Sequence, residues 1–139
     1  MRVGVARSDP TGTLAVPEAT LDGRSDWVPR LAELVAELEP IEILVGLPLS
    51  LDGREHAAAQ RVREVVDRIG QACPGTPVRL VDERFTTTTA NARFREAGVS
   101  TRKGRAVVDQ AAAAIMLQTA LDMERATGSA PGQLANGHA

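Results

Sequence analysis

Residues 78–115 read VRLVDERFTTTTANARFREAGVSTRKGRAVVDQAAAAI, and the fold can be built outward from them. A short apolar run, Val78-Arg79-Leu80-Val81, stops at two carboxylates, Asp82 and Glu83, and at Arg84. The stretch closes on Asp109, set into an alanine-rich helix pattern. Between these acids, residues 84–105 hold Arg84, Arg93, Arg95, Arg102, Lys103 and Arg105 against the single acid Glu96, a net of +5. Carboxylates at the ends of regular elements can hold hard divalent cations through oxygen, and lysine and arginine neutralise phosphates. That combination points to metal-dependent chemistry on nucleic acid. The bland alternative is a strand end, a solvated helix and a core helix with one surface aspartate, since charge runs are often only solvated faces.

Upstream, residues 41–47 (Ile-Glu-Ile-Leu-Val-Gly-Leu) are almost continuously apolar, which predicts a central parallel strand stopped by Pro48. A helix over 54–69 is expected between the two strands, with Ala58, Val62, Val65, Val66 and Ile69 facing inward and Gly70 left-handed beyond its end. An earlier helix should run from a cap at Ser25 or Asp26 to about Glu39. Its apolar stripe is Trp27, Leu31, Leu34, Val35 and Leu38; Pro29 lies in the first turn and Pro40 ends it. Residues 1–6 and 13–20 read as a hairpin around an Asp9-Pro10-Thr11-Gly12 turn, with Pro17 marking an edge or a bulge. Helices are expected over 88–97 and about 106–125. The sum is a mixed α/β sheet covered by helices, one domain over 1–127, and a Gly/Pro/Ser/Asn-rich disordered tail over 128–139.

Composition narrows the chemistry. The 139 residues carry a net charge of −2, so nucleic-acid binding must rest on a local basic patch rather than on the whole surface. Aromatic content is 2% with no tyrosine, which argues against base stacking as a mode of recognition. The one cysteine, Cys73, forms no internal disulfide, and the two histidines, His56 and His138, give no zinc cluster. No stretch approaches the ~20 apolar residues of a membrane span and no signal peptide is evident, so a soluble, cytoplasmic protein is expected.

Five segments, taken in order, resemble the YqgF family, also called RuvX. They are Gly4-Val5-Ala6-Arg7-Ser8-Asp9-Pro10, Val45-Gly46-Leu47-Pro48-Leu49, Asp82-Glu83-Arg84-Phe85-Thr86-Thr87, Glu96-Ala97-Gly98-Val99 and Asp109-Gln110-Ala111-Ala112-Ala113. The resemblance implies a ribonuclease H-like fold. It also implies a role as a Holliday junction resolvase, or as a nuclease that processes the precursor of small-subunit ribosomal RNA. Similar proteins carry a further central strand, with the first catalytic aspartate, ahead of the segment that begins here at Met1. Its absence leads to the expectation of a start further upstream, the alternative being a shortened, inactive paralogue that only binds RNA as an assembly factor.

Under this resemblance Glu83 and Asp109 are the catalytic, metal-holding residues, with Asp82 as a third candidate ligand for Mg²⁺ or Mn²⁺. Asp82 faces away from Glu83 if the strand runs through both, which suits a structural acceptor equally well. Asp109 shares a helix face with Ala113, Met116 and Ala120, where a carboxylate is costly without a cation or donors. Arg84, Thr86, Thr87, Arg102, Lys103 and Arg105 are the candidate substrate contacts, the last three in a turn just before the Asp109 helix. Arg84 could instead pair with Asp82 or Glu55, and the threonines could cap the next helix. Asp9 resembles a family position, but an Asx turn before Pro10 explains it equally well; His56 could contact substrate, but is better read as a solvated first-turn residue. The expected partner is a ribosomal RNA precursor or branched DNA; a homodimer is allowed but not required. An actin- or sugar-kinase-like phosphotransferase shares the sheet topology, but such enzymes carry a second domain and a nucleotide-binding glycine cluster that this chain lacks.

Overall fold

The computed structural model describes residues 2–23, 26–48, 52, 54–82 and 102–135. They form an α/β structure with antiparallel and parallel strand pairs, in the order β1 (Arg2–Ser8), β2 (Ala15–Asp22), α1 (Val28–Leu38), β3 (Ile43–Leu47), α2 (Ala57–Ala72), β4 (Val78–Asp82), α3 (Arg102–Thr127) and β5 (Gln133–Leu134). These elements fall into two compact units.

The first unit is the hairpin β1–β2 with α3 packed on both strands. The hairpin register runs from Arg2 opposite Asp22 to Ser8 opposite Ala15, and it slips between Val5 and Ala6. Val5 faces Ala19 and Ala6 faces Pro17, so the slip falls at the proline, as expected of a residue with no N–H for the ladder. The loop closes on Asp9: its N–H donates to the Leu14 carbonyl at 2.8 Å, and Gly12 N–H donates to the Asp9 carbonyl at 3.0 Å. Gly12 takes φ 69°, a left-handed conformation open to glycine at no steric cost.

The second unit holds α1, α2 and a three-stranded sheet of order β3-β4-β5. β3 and β4 are parallel, with Ile43 opposite Val78 and Leu47 opposite Asp82, so their carboxyl ends coincide. Helix α2 makes the crossover that a parallel pair requires and packs on both strands and on α1. Trp27, Val28 and Leu31 of the α1 segment, Ala59, Val66 and Ile69 of α2, and Val78, Leu80 and Val81 of β4 are buried. Val78 is 0% exposed; burying a side chain of that size contributes about 1.5–3 kcal/mol.

Several boundaries differ from those expected. Helix α1 starts at Val28 with Trp27 at its N-cap and no side-chain cap; Asp26 is taken up by Arg68 of α2 instead. Helix α2 runs past Gly70 to Ala72, where Cys73 N–H closes on the Ile69 carbonyl at 2.8 Å, so Gly70 is helical. Ala59 rather than Ala58 is its buried alanine. Strand β3 begins at Ile43 and leaves Ile41 91% exposed. Helix α3 opens at Arg102, so Arg102, Lys103 and Arg105 lie in its first turn rather than in a turn before it. The expected helix over 88–97 lies outside the described residues.

The tail expected to be disordered contributes a strand. Gln133–Leu134 pairs antiparallel with Arg79 and Leu80 of β4, and Ala135 N–H donates to the Val78 carbonyl at 2.7 Å. Gly132 makes this approach feasible: it takes φ 81°, and a Cβ there would lie 2.1 Å from the Leu80 carbonyl oxygen. No described helix is long and apolar enough to cross a membrane.

Candidate active site

The two units carry different candidate groups. In the second, Leu47 and Asp82 stand side by side at the carboxyl ends of β3 and β4. Ligand-binding groups in open α/β sheets collect at such ends, because the loops that follow leave the sheet there. Asp82 is half-buried and is the last residue of its strand. At the opposite end of the same strands, Glu42 and Arg79 form a largely buried ion pair at 3.3 Å.

In the first unit, Asp109 lies in α3, seven residues into the helix, and is half-buried, with its Oδ2 screened from solvent. Its carbonyl lies directly over Gly4 of β1. Further along the helix, Gln118 grips the hairpin through its side-chain amide. Its Oε1 accepts from Ala15 N–H at 2.9 Å, and its Nε2 donates to the Thr13 carbonyl at 2.9 Å and to Asp122 Oδ1 at 3.1 Å. The Gln118 bond, reinforced by Arg125, holds the Asp122 carboxyl below the usual carboxylate range.

Glu83, Arg84, Thr86 and Thr87 lie outside the described residues. Arg102, Lys103 and Arg105 occupy the amino-terminal turn of α3, which contains no acidic residue. Asp82 and Asp109 belong to different units. Among the described residues no group of three or more His, Cys, Asp or Glu side chains is gathered to hold a metal. The donor chemistry of Asp82, Glu83 and Asp109 is hard oxygen, which suits Mg²⁺ or Mn²⁺.

Of the two residues weighed for function, Asp9 has a structural role and His56 is solvated. Asp9 builds its own turn: Oδ1 accepts from Thr13 N–H at 2.7 Å and from Leu14 N–H at 3.1 Å, and Oδ2 accepts from Thr11 Oγ1 at 2.9 Å. The two backbone donors, Thr13 first, pull its pKa below the ordinary 3.8. His56 is the exposed N-cap of α2 and makes no side-chain cap bond. Glu55, considered as a partner for Arg84, is held bidentately by Arg63 at 2.5 and 2.7 Å, which lowers the carboxyl pKa and raises that of the guanidinium. Burial raises the Cys73 thiol pKa, which suits a packing residue rather than a nucleophile.

Sequence reading passed over Gly4 and Gln118 as site-building residues. A lone glycine inside a strand pattern is a signal of close backbone approach, and Gly4 carried it. Gln118 carried none, because its backbone partners lie 103 and 105 residues away along the chain.

Comparison with known proteins places this arrangement in context. A family model described as "RuvX: Holliday junction resolvase" matches residues 1–123. A Streptomyces coelicolor protein named "Putative pre-16S rRNA nuclease" is 52% identical over 136 residues, covering 95% of this chain and 80% of the relative. Proteins of the same name from a Nocardioides species and from Thermobifida fusca are 50% and 44% identical. Those matches cover 96% and 98% of this chain, and 88% and 90% of the relatives.

Proposed function

This chain belongs to the RuvX family, whose fold is ribonuclease H-like, and on that footing we propose that it is a metal-dependent endonuclease of structured nucleic acid. Its substrate on this reading is the precursor of 16S ribosomal RNA, as the names of its relatives suggest, and the cut serves 5′-end maturation. The observation that carries the reading is Asp109, a half-buried carboxylate on an otherwise apolar helix face beside Ala113, Met116 and the buried Ala120. An ionised group in that setting is costly unless cations or donors compensate it.

Glu83 and Asp109 would hold Mg²⁺, or Mn²⁺ in its place, with Asp82 as a third oxygen donor at the end of β4. When bound, the metal supplies an activated water and neutralises charge building on the phosphodiester. The chain's own contribution begins with the strand end that carries Asp82 and the helix that carries Asp109. Arg102, Lys103 and Arg105 contribute positive charge at the end of α3 that already carries the positive pole of the helix dipole. Cations there cost about 0.3–1 kcal/mol each, and a polyphosphate backbone offsets that cost. Arg84, Thr86 and Thr87, following β4, complete the substrate contacts on this reading. Contacts of this kind fix a backbone in register and read little sequence.

The family's description as a Holliday junction resolvase favours a second substrate, a four-way DNA junction. One competition separates the two. The full-length protein is given labelled 16S precursor and a labelled four-way junction together in Mg²⁺, with Glu83→Gln and Asp109→Asn as controls. Cutting of the precursor that both substitutions abolish supports the proposal. Cutting of the junction alone transfers the activity to DNA. RNA binding without any cutting would make the protein an assembly factor, and equal cutting by both variants would remove Glu83 and Asp109 from the site.

A further inference from the structure

Gly4 lies beneath Asp109 with no room for a side chain. A Cβ on Gly4 would stand 2.1 Å from the Asp109 carbonyl oxygen, 2.4 Å from its carbonyl carbon and 3.1 Å from its Cβ. Comfortable contacts between heavy atoms are about 3.5–4.0 Å, so an alanine would displace the helix or strand by roughly 1 Å or more. The obstacle is helix backbone, which cannot swing aside like a flexible side chain. Gly4 does not have a positive φ, so the local backbone conformation does not demand glycine there. Glycine inside a strand costs about 0.5–1 kcal/mol relative to alanine. The close seat for α3 is what glycine provides in return.

A second contact fixes the same helix. Gln118, nine residues beyond Asp109 and so about 13.5 Å further along the axis, holds the Thr13 carbonyl and the Ala15 N–H with its amide. Gly4 sets how deeply α3 lies on β1, and Gln118 sets how far it slides along the hairpin. We propose that Gly4 and Gln118 are positioning residues that place the Asp109 carboxylate for its ion. This rests on the reading of Asp109 as a metal ligand. Residues that orient a ligand without touching the metal are commonly worth about 10–100-fold in metal affinity.

The test uses Mn²⁺ as the probe, titrated into the full-length protein and followed by the paramagnetic resonance signal of the free ion. Gly4→Ala should weaken Mn²⁺ binding about tenfold or more, and Asp109→Asn at least as much. In the Asp109→Asn background, Gly4→Ala should add nothing. Leu21→Ala serves as the control for generic destabilisation. Leu21 is buried on β2, one residue along from Thr20, which faces Gly4, so strand alternation puts it on the opposite face of the hairpin. It should lower the melting temperature and leave Mn²⁺ affinity intact. Wild-type affinity in Gly4→Ala while Asp109→Asn weakens binding would overturn the positioning role alone, as would an equal loss in Leu21→Ala. Wild-type affinity in Asp109→Asn would overturn the metal-ligand reading, and the positioning role with it. If Gly4→Ala does not fold, Gln118→Ala decides: threefold or greater weakening supports the proposal and unchanged affinity overturns it.

Discussion

Replacing Gln118 with alanine should loosen the hairpin from α3, and the size of the effect can be worked from its contacts. Two bonds of 2.9 Å to main-chain groups are lost, one accepted from Ala15 N–H and one donated to the Thr13 carbonyl. Each net hydrogen bond is worth about 0.5–1.5 kcal/mol, so the pair sums to roughly 2 kcal/mol. Thr13 and Ala15 are half-buried, so water can partly replace the amide and the full penalty for stranded groups does not apply. For a chain of this length 2 kcal/mol lowers the melting temperature by about 5–10 °C. Thermal melts followed by circular dichroism measure the total, and hydrogen exchange at the Ala15 amide locates it. Gln118→Glu sharpens the comparison. It keeps the acceptor for Ala15, but sets a carboxylate against the Thr13 carbonyl and the Asp122 carboxylate, so it should be destabilised at neutral pH and recover in acid. A melting temperature within 2 °C of wild type, with unchanged exchange at Ala15, would refute the clamp.

Three further outcomes follow from the same contacts. The Asp9 carboxyl is depressed below 3.8 in the folded state by its turn donors, so its stabilisation is present above that pH and is lost as pH falls through the folded value. The melting-temperature gap between wild type and Asp9→Ala should therefore be full at pH 6 and shrink below about pH 4; a gap independent of pH would contradict the turn assignment. Gly132→Ala combines a positive φ with a clash against the Leu80 carbonyl, so β5 should detach at a local cost of about 1–3 kcal/mol. Faster exchange of the Ala135 amide would register the loss, and unchanged protection would exclude it. Replacing Arg102, Lys103 and Arg105 together by alanine should weaken binding to precursor RNA and flatten its dependence on log salt by about 1 per contact removed. An unchanged salt slope would take these residues off the phosphate path.

Much of the framework was legible because it rests on local pattern. The apolar run ending at Leu47 and the run ending at Asp82 could be read as parallel strands, and their coincident ends follow from that pairing. The bulge at Pro17 was legible because proline lacks a ladder donor. Helix ends were less so, since tertiary partners overrode local signals. Asp26 went to Arg68 rather than to a cap, and α2 continued through Gly70. The amino end of α3 came earlier than expected because Arg102, Lys103 and Arg105 are good helix formers in spite of Gly104. Strand β5 could not be read at all: two residues carry no periodicity, and their pairing is set by the β4 edge and by Gly132. Of the candidate site, Asp82 and Asp109 could be named from sequence, but the seat beneath Asp109 needed three dimensions.

Cutting of the protein's own backbone tests most directly whether Glu83, which follows β4, and Asp109 of α3 hold one divalent ion, as proposed. Fe²⁺ takes the place of Mg²⁺ at oxygen-donor sites, and with ascorbate and peroxide it releases hydroxyl radical that cleaves the chain nearby. The account predicts paired cuts close to Glu83 and close to Asp109, both suppressed by excess Mg²⁺ and both lost in Asp109→Asn. Cuts at one of the two positions only, or at neither, would contradict it.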